Sequence, residues 1–441
     1  MADKGAFNPY DHRDVEHELS NFGAFISLVK CVVGTGVLAL PRAFYYSGII
    51  FGIVMLIAIT FMLIHSMQLL IICMIESARR QQMGYSTFPE TMKFALSQGP
   101  RCCRCWAKVG AIICDAVLIF SHYGVCVVYL VFVSLNLQKI LKFKYGDSDN
   151  LRYYVIIVGI LVLPPFMITR LKWLVPFNLI ASILEYVAFA CMIYYIFQDL
   201  PPITERAVFF GKVEHMASFF GTVLFSITSV GVMLAIEAKM KHPEQYIGWF
   251  GIMDIAVVFI VISYIFFGVM GYWKYGDDIQ TALSLNLPTE EAIAKVSQVS
   301  IMCAIFLTYS LCGYVVINII MTHYWNKSGE LKHPIIKELI VRLIFVLVST
   351  LNAAMAPDFG PLLSLVGAFT ISLLNLIFPA LIEICLLYPP EYTYGKYKWK
   401  LIKDIALMVI GTLILVNGTY EAIRDMFRAW VPGFKTTTVA G

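Results

Sequence analysis

Charged residues are scarce in this sequence. Asp, Glu, Lys and Arg make up only 14% of the 441 residues, whereas 59% are hydrophobic and the mean hydropathy is +0.76. Soluble domains carry about 25% charged residues, so this scarcity excludes an ordinary soluble protein. A membrane-spanning helix needs about 20 apolar residues. Stretches of that kind predict an all-α polytopic membrane protein with about eleven spans, at 22–41, 47–75, 110–137, 153–169, 173–197, 216–236, 248–272, 296–321, 336–356, 361–388 and 402–421.

The signatures of several other protein classes are also missing. The sequence has no nucleotide-binding loop, no paired metal-ligand motif within a span and no convincing nucleophile–base pair, which argues against an enzyme. Nothing suggests the ring of like charges that an ion channel would use. The first twenty residues lack the apolar core of a cleavable signal peptide, so we expect the first span to direct insertion. We expect membrane lipid around the spans and no cofactor, metal or nucleic-acid partner.

The basic residues of the loops indicate an orientation. If the N-terminus is cytosolic, the inner loops hold more Lys and Arg than the outer loops. We therefore predict a cytosolic N-terminus and, with an odd number of spans, an extracytosolic C-terminus. Residues 1–21 then form a polar cytosolic segment, 22–421 a single transmembrane domain and 422–441 a short tail. The cluster Cys102, Cys103 and Cys105 lies on the reducing side, where a disulfide is not expected.

The first span is interrupted in its middle by Gly34-Thr35-Gly36, and Pro41 follows shortly after. Glycine costs a helix about 1 kcal/mol relative to alanine, and proline about 3 kcal/mol. Non-helical backbone at membrane depth survives only where protein buries it or a wet cavity solvates it. Two interpretations stay open at this point. The small residues form either a binding site in a discontinuous helix or a notch for a close-packed neighbour.

The sixth span carries a second group of helix-loosening residues. Ser226, Thr228, Ser229 and Gly231 crowd its centre, and the hydroxyl groups can bond back to the helix backbone. Interruptions in spans one and six predict a five-plus-five inverted repeat with one extra helix at the end. Freed N–H groups at the half-helix ends would then suit a carboxylate.

The first-span motif is Val33-Gly34-Thr35-Gly36-Val37-Leu38-Ala39-Leu40-Pro41. Further motifs follow along nearly the whole chain after its N-terminus: Ile64-His65-Ser66-Met67, Gly124 to Tyr129, Gly231-Val232-Met233-Leu234, Gly271-Tyr272, Ser284 to Pro288, Leu307-Thr308-Tyr309, Ser364 to Gly367 and Gly418 to Glu421. In their order and spacing these motifs resemble the amino acid/auxin permease superfamily and, more narrowly, the proton-coupled amino acid transporters.

The resemblance implies a secondary active transporter of small amino acids, coupled to protons, with sodium as an open alternative. It places a substrate site on the two broken helices and the eighth span, at Val33, Gly34, Thr35, Gly36, Phe225, Ser226, Thr228, Ser229 and Tyr309. The candidate proton-coupling residues are His65, His122, Asp115 and Glu383, of which Asp115 and His122 are two helical turns apart on one face. Glu185 and Asp254 are further acids within spans, and Lys30 is expected to extend toward the cytosolic interface.

The chain departs from the family pattern where the family carries polar groups. The differing positions are Thr228, Ala235 and Ala238 in span six and Cys312, Gly313, Val316 and Asn318 in span eight. These departures suggest an atypical or orphan member, and they keep open an amino-acid sensor of the same fold with little transport. A sensor would contact a cytosolic signalling partner through its N-terminus or the loop 79–108. The expected location is the plasma membrane or a lysosomal or endosomal membrane.

Overall fold

The computed structural model describes residues 7–13, 19–145, 150–169, 171–203, 206–211, 215–227, 230–248, 250–325, 334–355, 358–389 and 393–430. Within those ranges the chain is helical, and its one β-type contact is an isolated bridge between Leu19 and Met240. The predicted all-α class is therefore confirmed. The helices are α1 Asn21–Val32, α2 Thr35–Ser47, α3 Ile49–Arg80, α4 Phe88–Gln98, α5 Arg101–Arg104, α6 Ala107–Tyr145, α7 Leu151–Phe166, α8 Leu171–Ile196, α9 Met216–Ile227, α10 Val230–Ala238, α11 Ile252–Tyr275, α12 Ala292–Ile319, α13 Pro334–Met355, α14 Phe359–Val366, α15 Phe378–Leu386 and α16 Trp399–Trp430.

The protein is a multi-pass membrane protein. In the part of the chain that the structure describes, eight helices are long and apolar enough to cross a membrane, or nine if the bent pair α1–α2 counts as one span. Helices α7 and α13 coincide with two further predicted spans, so every predicted span coincides with helix, but the count of eleven stays a prediction. Two π-helical stretches, Ile320–Trp325 and Gly367–Ile377, extend α12 and join α14 to α15.

The first span is broken where the glycines predict it. Helix α1 ends at Val32, α2 begins at Thr35, and the two axes differ by 53°. Of the two residues between them, Gly34 has φ −149° and ψ −139°, which is far from helical geometry. Pro41 lies inside α2 and faces Gly271 of α11, where a Cβ would come within 2.5 Å of the proline ring. The break in the first span is therefore fixed by the backbone of Gly34 and by the packing of α2 against α11.

The sixth span is described on both sides of its predicted interruption. Helix α9 ends at Ile227 and α10 begins at Val230, and Thr228 and Ser229 between them lie outside the described residues, so the interruption itself stays a prediction. Helices α2 and α9 cross closely, because a Cβ on Gly36 would lie 2.6 Å from Ser226 Cα. The first and sixth spans thus pack directly against each other, as the repeat architecture predicts.

The loop predicted at 79–108 contains two helices. Helix α4 begins with a capping box, in which Glu90 Oε2 accepts the backbone N–H of Thr87 at 2.9 Å. Its buried face, including Phe88, Met92 and Ala95, packs against α6 and α15. The long α6 begins at Ala107, three residues before the predicted span at 110–137, and α16 continues to Trp430, past the predicted end at 421.

The N-terminal segment packs against one end of the bundle. Arg13 Nη2 lies 2.9 Å from Glu237 Oε1 of α10, and their side chains are 7% and 2% exposed. Leu19 exchanges two backbone hydrogen bonds with Lys239 and Lys241, just after α10. The Arg13 guanidinium also stacks over Tyr10, and burial followed by the charge of Glu237 raises the pKa of Tyr10 to about 12. The segment is thereby bonded to the end of the sixth span.

Candidate functional site

A cavity of about 300 Å³ opens at the break in the first span. Its walls come from the first and sixth spans and from α6, α8 and α12. The lining side chains and backbone include Ser27, Lys30, Val33, Gly34, Thr35, Gly36, His122, Tyr129, Asn178, Ser182, Glu185, Phe225, Ser226, Thr308 and Cys312. A volume of this order suits a small organic molecule.

The backbone half of the cavity is the N-terminus of α2. No side chain caps this helix at its N-cap residue Gly34. The first N–H groups of a helix have no partner inside it, and the helix dipole adds partial positive charge at the same end. Gly34, Thr35 and Gly36 all line the cavity, so these N–H groups offer a site for an anion such as a carboxylate.

Tyr264 of α11 contacts both the first and the sixth span. Its hydroxyl lies 2.7 Å from Val32 O at the end of α1 and 2.5 Å from Ser226 O in α9. A hydroxyl carries one proton, so the two carbonyls share one donor. Tyr264 is fully buried, and its hydroxyl offers a donor to Val32 O, which lies at the C-terminal end of α1.

Two opposite charges face the cavity. Lys30 Nζ donates to Asn178 O of α8 at 3.0 Å, which differs from the expectation that Lys30 extends toward the membrane surface. Glu185, two helical turns after Asn178, also lines the cavity. In the described part of the chain its Oε1 atom is buried without a hydrogen-bond partner, and it lies 3.9 Å from the Cβ position of Gly34.

His122 of α6 faces the cavity beside Cys312 of α12. The His122 Nδ1 atom lies 3.6 Å from Cys312 Sγ. Its Nε2 atom approaches the first turn of α10, where a Cβ on Gly231 would lie only 2.7 Å away. Cys312, one of the positions at which span eight departs from the family pattern, is thus in contact with His122.

The predicted binding residues divide into three groups. Val33, Gly34, Thr35, Gly36, Phe225 and Ser226 line the cavity. Thr228 and Ser229 lie outside the described residues. Tyr309 is not in the wall, because its side chain points from α12 toward α7 and α13. Its hydroxyl lies 2.8 Å from Ser349 Oγ, and its ring packs against Phe166 and Phe345. Its neighbour Thr308 faces the cavity instead.

Of the four predicted proton-coupling residues, only His122 lines the cavity. Asp115 bonds to His323 Nδ1 at 3.1 Å and accepts from Tyr324 OH at 3.2 Å, so its partners lie at the far end of α12 and not at His122. Glu383 of α15 accepts from Lys403 Nζ of α16 at 2.6 Å. His65 of α3 is half-buried near that ion pair. These three residues form two polar clusters outside the cavity.

A separate group of possible metal ligands also lies away from the cavity. In the described ranges, His215, Glu421 and Asp425 bring their ligand atoms within 4.8 Å of one another. The guanidinium of Arg424 lies 3.2 Å from Asp425 Oδ1 and 3.9 Å from Glu421 Oε1. Since a cation already balances both acids, this cluster is an ion-pair network.

The fold and the cavity define a class of protein, namely a helical membrane transporter with a broken-helix site. Among solved structures, Mhp1 in an inward-facing conformation is similar with a TM-score of 0.52, covering 98% of this chain and 94% of that chain. At 15% sequence identity this similarity shows the fold alone. The chain belongs to the transmembrane amino acid transporter protein family, whose pattern matches residues 17–424.

Two curated relatives agree with this assignment. The proton-coupled amino acid transporter-like protein pathetic of Drosophila melanogaster is 31% identical over 424 residues, which is 96% of this chain and 89% of the relative. Amino acid transporter AVT3C of Arabidopsis thaliana is 27% identical over 428 residues, covering 92% of this chain and 91% of the relative. The resemblance indicated by the motifs is confirmed.

Three residues of the site were not assigned to it from the sequence. Lys30 and Glu185 occur within apolar spans, where charged side chains are expensive and normally face the bundle interior, so their types alone point inward. Tyr264 is a tyrosine in mid-span, where a buried hydroxyl needs a partner. The sequence could not predict which groups lie next to these three side chains, because α1, α8 and α11 meet only in the folded bundle.

Proposed function

We propose that this protein is a secondary active transporter that moves small amino acids by alternating access, coupled to protons. The observation that carries the proposal is the uncapped N-terminus of α2 in a cavity of about 300 Å³. An amino acid carboxylate placed at Gly34–Gly36 would accept the free N–H groups and meet the positive end of the helix dipole.

The remaining walls of the cavity suit the ammonium group and the short side chain of an amino acid. Ser182 and Thr308 line the cavity with hydroxyl oxygens, which can accept hydrogen bonds from an ammonium group. Phe225 and Val232 supply apolar surface for a short side chain. Lys30 adds a positive charge, so a substrate with a net positive charge is disfavoured relative to a neutral one.

Alternating access fits the asymmetry of the cavity. Its lining extends from the break to Ser27 and Ile236, which lie on the side of the N-terminal segment. On the other side, Arg42 Nη1 donates to Ile279 O at 2.7 Å and its guanidinium stacks over Tyr45 and Tyr46. With a cytosolic N-terminus, this arrangement is an inward-facing state in which α2, α11 and the loop after it seal the outer side.

The coupling ion, the orientation and the membrane belong to the same proposal. The name of the Drosophila relative supports protons as the coupling ion. A cytosolic N-terminus and an extracytosolic C-terminus follow from the distribution of basic residues. An acidic compartment such as the lysosome, or the plasma membrane, would supply the proton gradient.

A sensor of the same fold is the second candidate, and the N-terminal segment favours it. Arg13 bonds directly to Glu237 of α10, so a movement of α10 would change the position of residues 7–13. A cytosolic partner that binds this segment could read the state of the cavity. The missing polar groups of spans six and eight agree with weak transport.

Uptake of a panel of labelled amino acids into proteoliposomes, with and without a pH gradient, tests the proposal. We expect saturable uptake that an acidic exterior accelerates. Gly34→Val should abolish it by filling the space in front of Glu185, whereas Gly360→Val should not, since a Cβ there meets only Thr281 at 3.7 Å. Binding without flux would favour the sensor, and the absence of both would contradict the proposal.

A further inference from the structure

Glu185 is the acidic side chain that faces the cavity among the described residues. Its Oε1 atom is buried and has no hydrogen-bond partner there, which distinguishes it from Asp115 and Glu383 of the two outer clusters. A carboxylate at membrane depth costs several kcal/mol unless it is paired or wet, so such a group is rarely present without a role. Its position, 3.9 Å from the Cβ site of Gly34, places it beside the N-terminus of α2.

Several titratable groups surround this carboxyl group. They are Lys30 and Cys31 on α1, His122 and Tyr129 on α6, Tyr264 on α11 and Cys312 on α12. Lys30 is the cation among them that interacts electrostatically with Glu185, and its Nζ atom is held by Asn178 O. His122 contacts Cys312, and the Tyr264 hydroxyl is committed to two carbonyls. Glu185 is therefore the acid whose charge an arriving anion would meet.

We propose that Glu185 is the proton-binding residue of the transport cycle, and that coupling arises because its carboxyl group and the substrate carboxylate share the N-terminus of α2. This inference rests on the proposed function. Two carboxylates in one site cannot both ionise without a large repulsion. The substrate carboxylate therefore binds when Glu185 carries a proton, and the bound substrate in turn strengthens the binding of that proton, because linkage is reciprocal.

The cycle then moves one proton with each amino acid. On the side where protons are abundant, Glu185 takes a proton from water and the substrate enters beside it. On the other side, the substrate leaves and Glu185 releases its proton. The unprotonated carboxylate is stabilised by Lys30 and by the positive end of α2, and in that state it excludes the carboxylate of a new substrate.

The other candidate acids are placed less well for this role. Asp115 is bonded to His323 and Tyr324, and Glu383 to Lys403, and neither lines the cavity. A proton on either group would not touch the substrate. Glu185 couples to the substrate through direct repulsion and needs no relay.

Glu185→Gln tests the proposal in the full-length protein reconstituted into proteoliposomes. Glutamine keeps the shape of a protonated carboxyl group but cannot release a proton. We expect substrate-driven acidification of the lumen, followed with a trapped pH-sensitive dye, to be lost, while exchange of labelled for unlabelled amino acid continues. In the wild type, the apparent Kd should rise roughly tenfold per pH unit once Glu185 is ionised, and in the variant it should be flat.

Asp254→Asn is the matched control. Asp254 is also an acid within a span, but it accepts from Gln68 Nε2 at 2.7 Å and does not line the cavity, so coupling should be unchanged. Glu185→Asp keeps a titratable carboxyl group, and it should retain a pH-dependent Kd even if Glu185→Gln does not fold. Persistent proton movement in a folded Glu185→Gln, or a flat Kd in a folded Glu185→Asp, would overturn the inference. A wild type that neither binds nor transports amino acids would instead contradict the proposed function.

Discussion

Single residues at the break perform two different tasks. Gly36 faces α9 so closely that a Cβ would lie 2.6 Å from Ser226 Cα, whereas the Cβ position of Gly34 has only Glu185 Oε1 within reach, at an ordinary 3.9 Å. The packing notch and the binding site, which the sequence left as alternatives, therefore occur together in one motif. Gly36 lines the cavity and also permits the close crossing of α2 and α9, whereas Gly34 borders the cavity without a close neighbour.

Gly36→Ala and Gly34→Ala form a matched pair that tests this division. We expect Gly36→Ala to destabilise the protein by about 1–3 kcal/mol, because the added methyl group must push α2 away from α9. Gly34→Ala should leave the apparent melting temperature nearer the wild-type value and weaken substrate binding. Thermal unfolding in detergent and binding assays measure the two effects. Equal destabilisation by both substitutions would contradict the assignment.

Tyr264 provides a second prediction at this scale. Tyr264→Phe removes the hydroxyl that Val32 O and Ser226 O share, and buried carbonyls left without a donor cost about 1–3 kcal/mol. We expect a lower melting temperature and reduced transport, since the end of α1 and the adjoining turn of α9 lose the donor that they share. Tyr420→Phe is the control, because Tyr420 is 65% exposed. A Tyr264→Phe protein as stable and active as the control would show that the hydroxyl is dispensable.

At the scale of elements, the N-terminal segment is bonded to α10 in the sixth span. It is joined to α10 by the Arg13–Glu237 ion pair and by the backbone bonds of Leu19 on either side of Met240. Because α10 forms one side of the cavity, the segment stabilises the present arrangement of that wall. The composition of residues 1–21 predicted a polar cytosolic segment. It could not predict the contact with Glu237, because that residue is more than two hundred positions away in the chain.

A double-mutant cycle tests the ion pair. Arg13→Ala leaves Glu237 buried without its cation, and breaking a buried pair in this way costs about 3–5 kcal/mol. Glu237→Gln in the Arg13→Ala background should recover much of the lost stability, because the buried charge is gone. Limited proteolysis of the N-terminus and thermal unfolding provide the readouts. If the double variant is no more stable than Arg13→Ala, the pair does not hold the segment.

At the scale of the whole molecule, local signals and long-range contacts differ in what they reveal. Apolar runs predict the spans because each run contains the whole signal within about 20 consecutive residues. Gly34-Thr35-Gly36 predicts the break because its signal is also local in the sequence. The π-helical stretches, the helices inside 79–108 and the positions of Tyr309 and Asp115 depend on packing between distant helices. Asp115 shares a face with His122 on α6, as predicted, yet its partners come from the end of α12.

Orientation is a prediction for the whole molecule. Cys102 and Cys105 are exposed after α4, and with a cytosolic N-terminus they face the cytosol. We expect a membrane-impermeant maleimide to label them, as located by peptide mapping, only after the plasma membrane is permeabilised. The Cys102→Ser/Cys105→Ser variant identifies the signal. Labelling of these peptides in intact cells would show that the orientation is the opposite of the predicted one.

The central claim is that the N-terminus of α2 receives the carboxylate of an amino acid. Competition against labelled-substrate uptake by a matched trio tests it most directly: the unlabelled amino acid, its carboxamide and the amine that lacks the carboxyl group. We predict that the amino acid competes fully, that the carboxamide competes at least tenfold more weakly, and that the amine does not compete. An amine that competes as well as the parent amino acid would contradict the account.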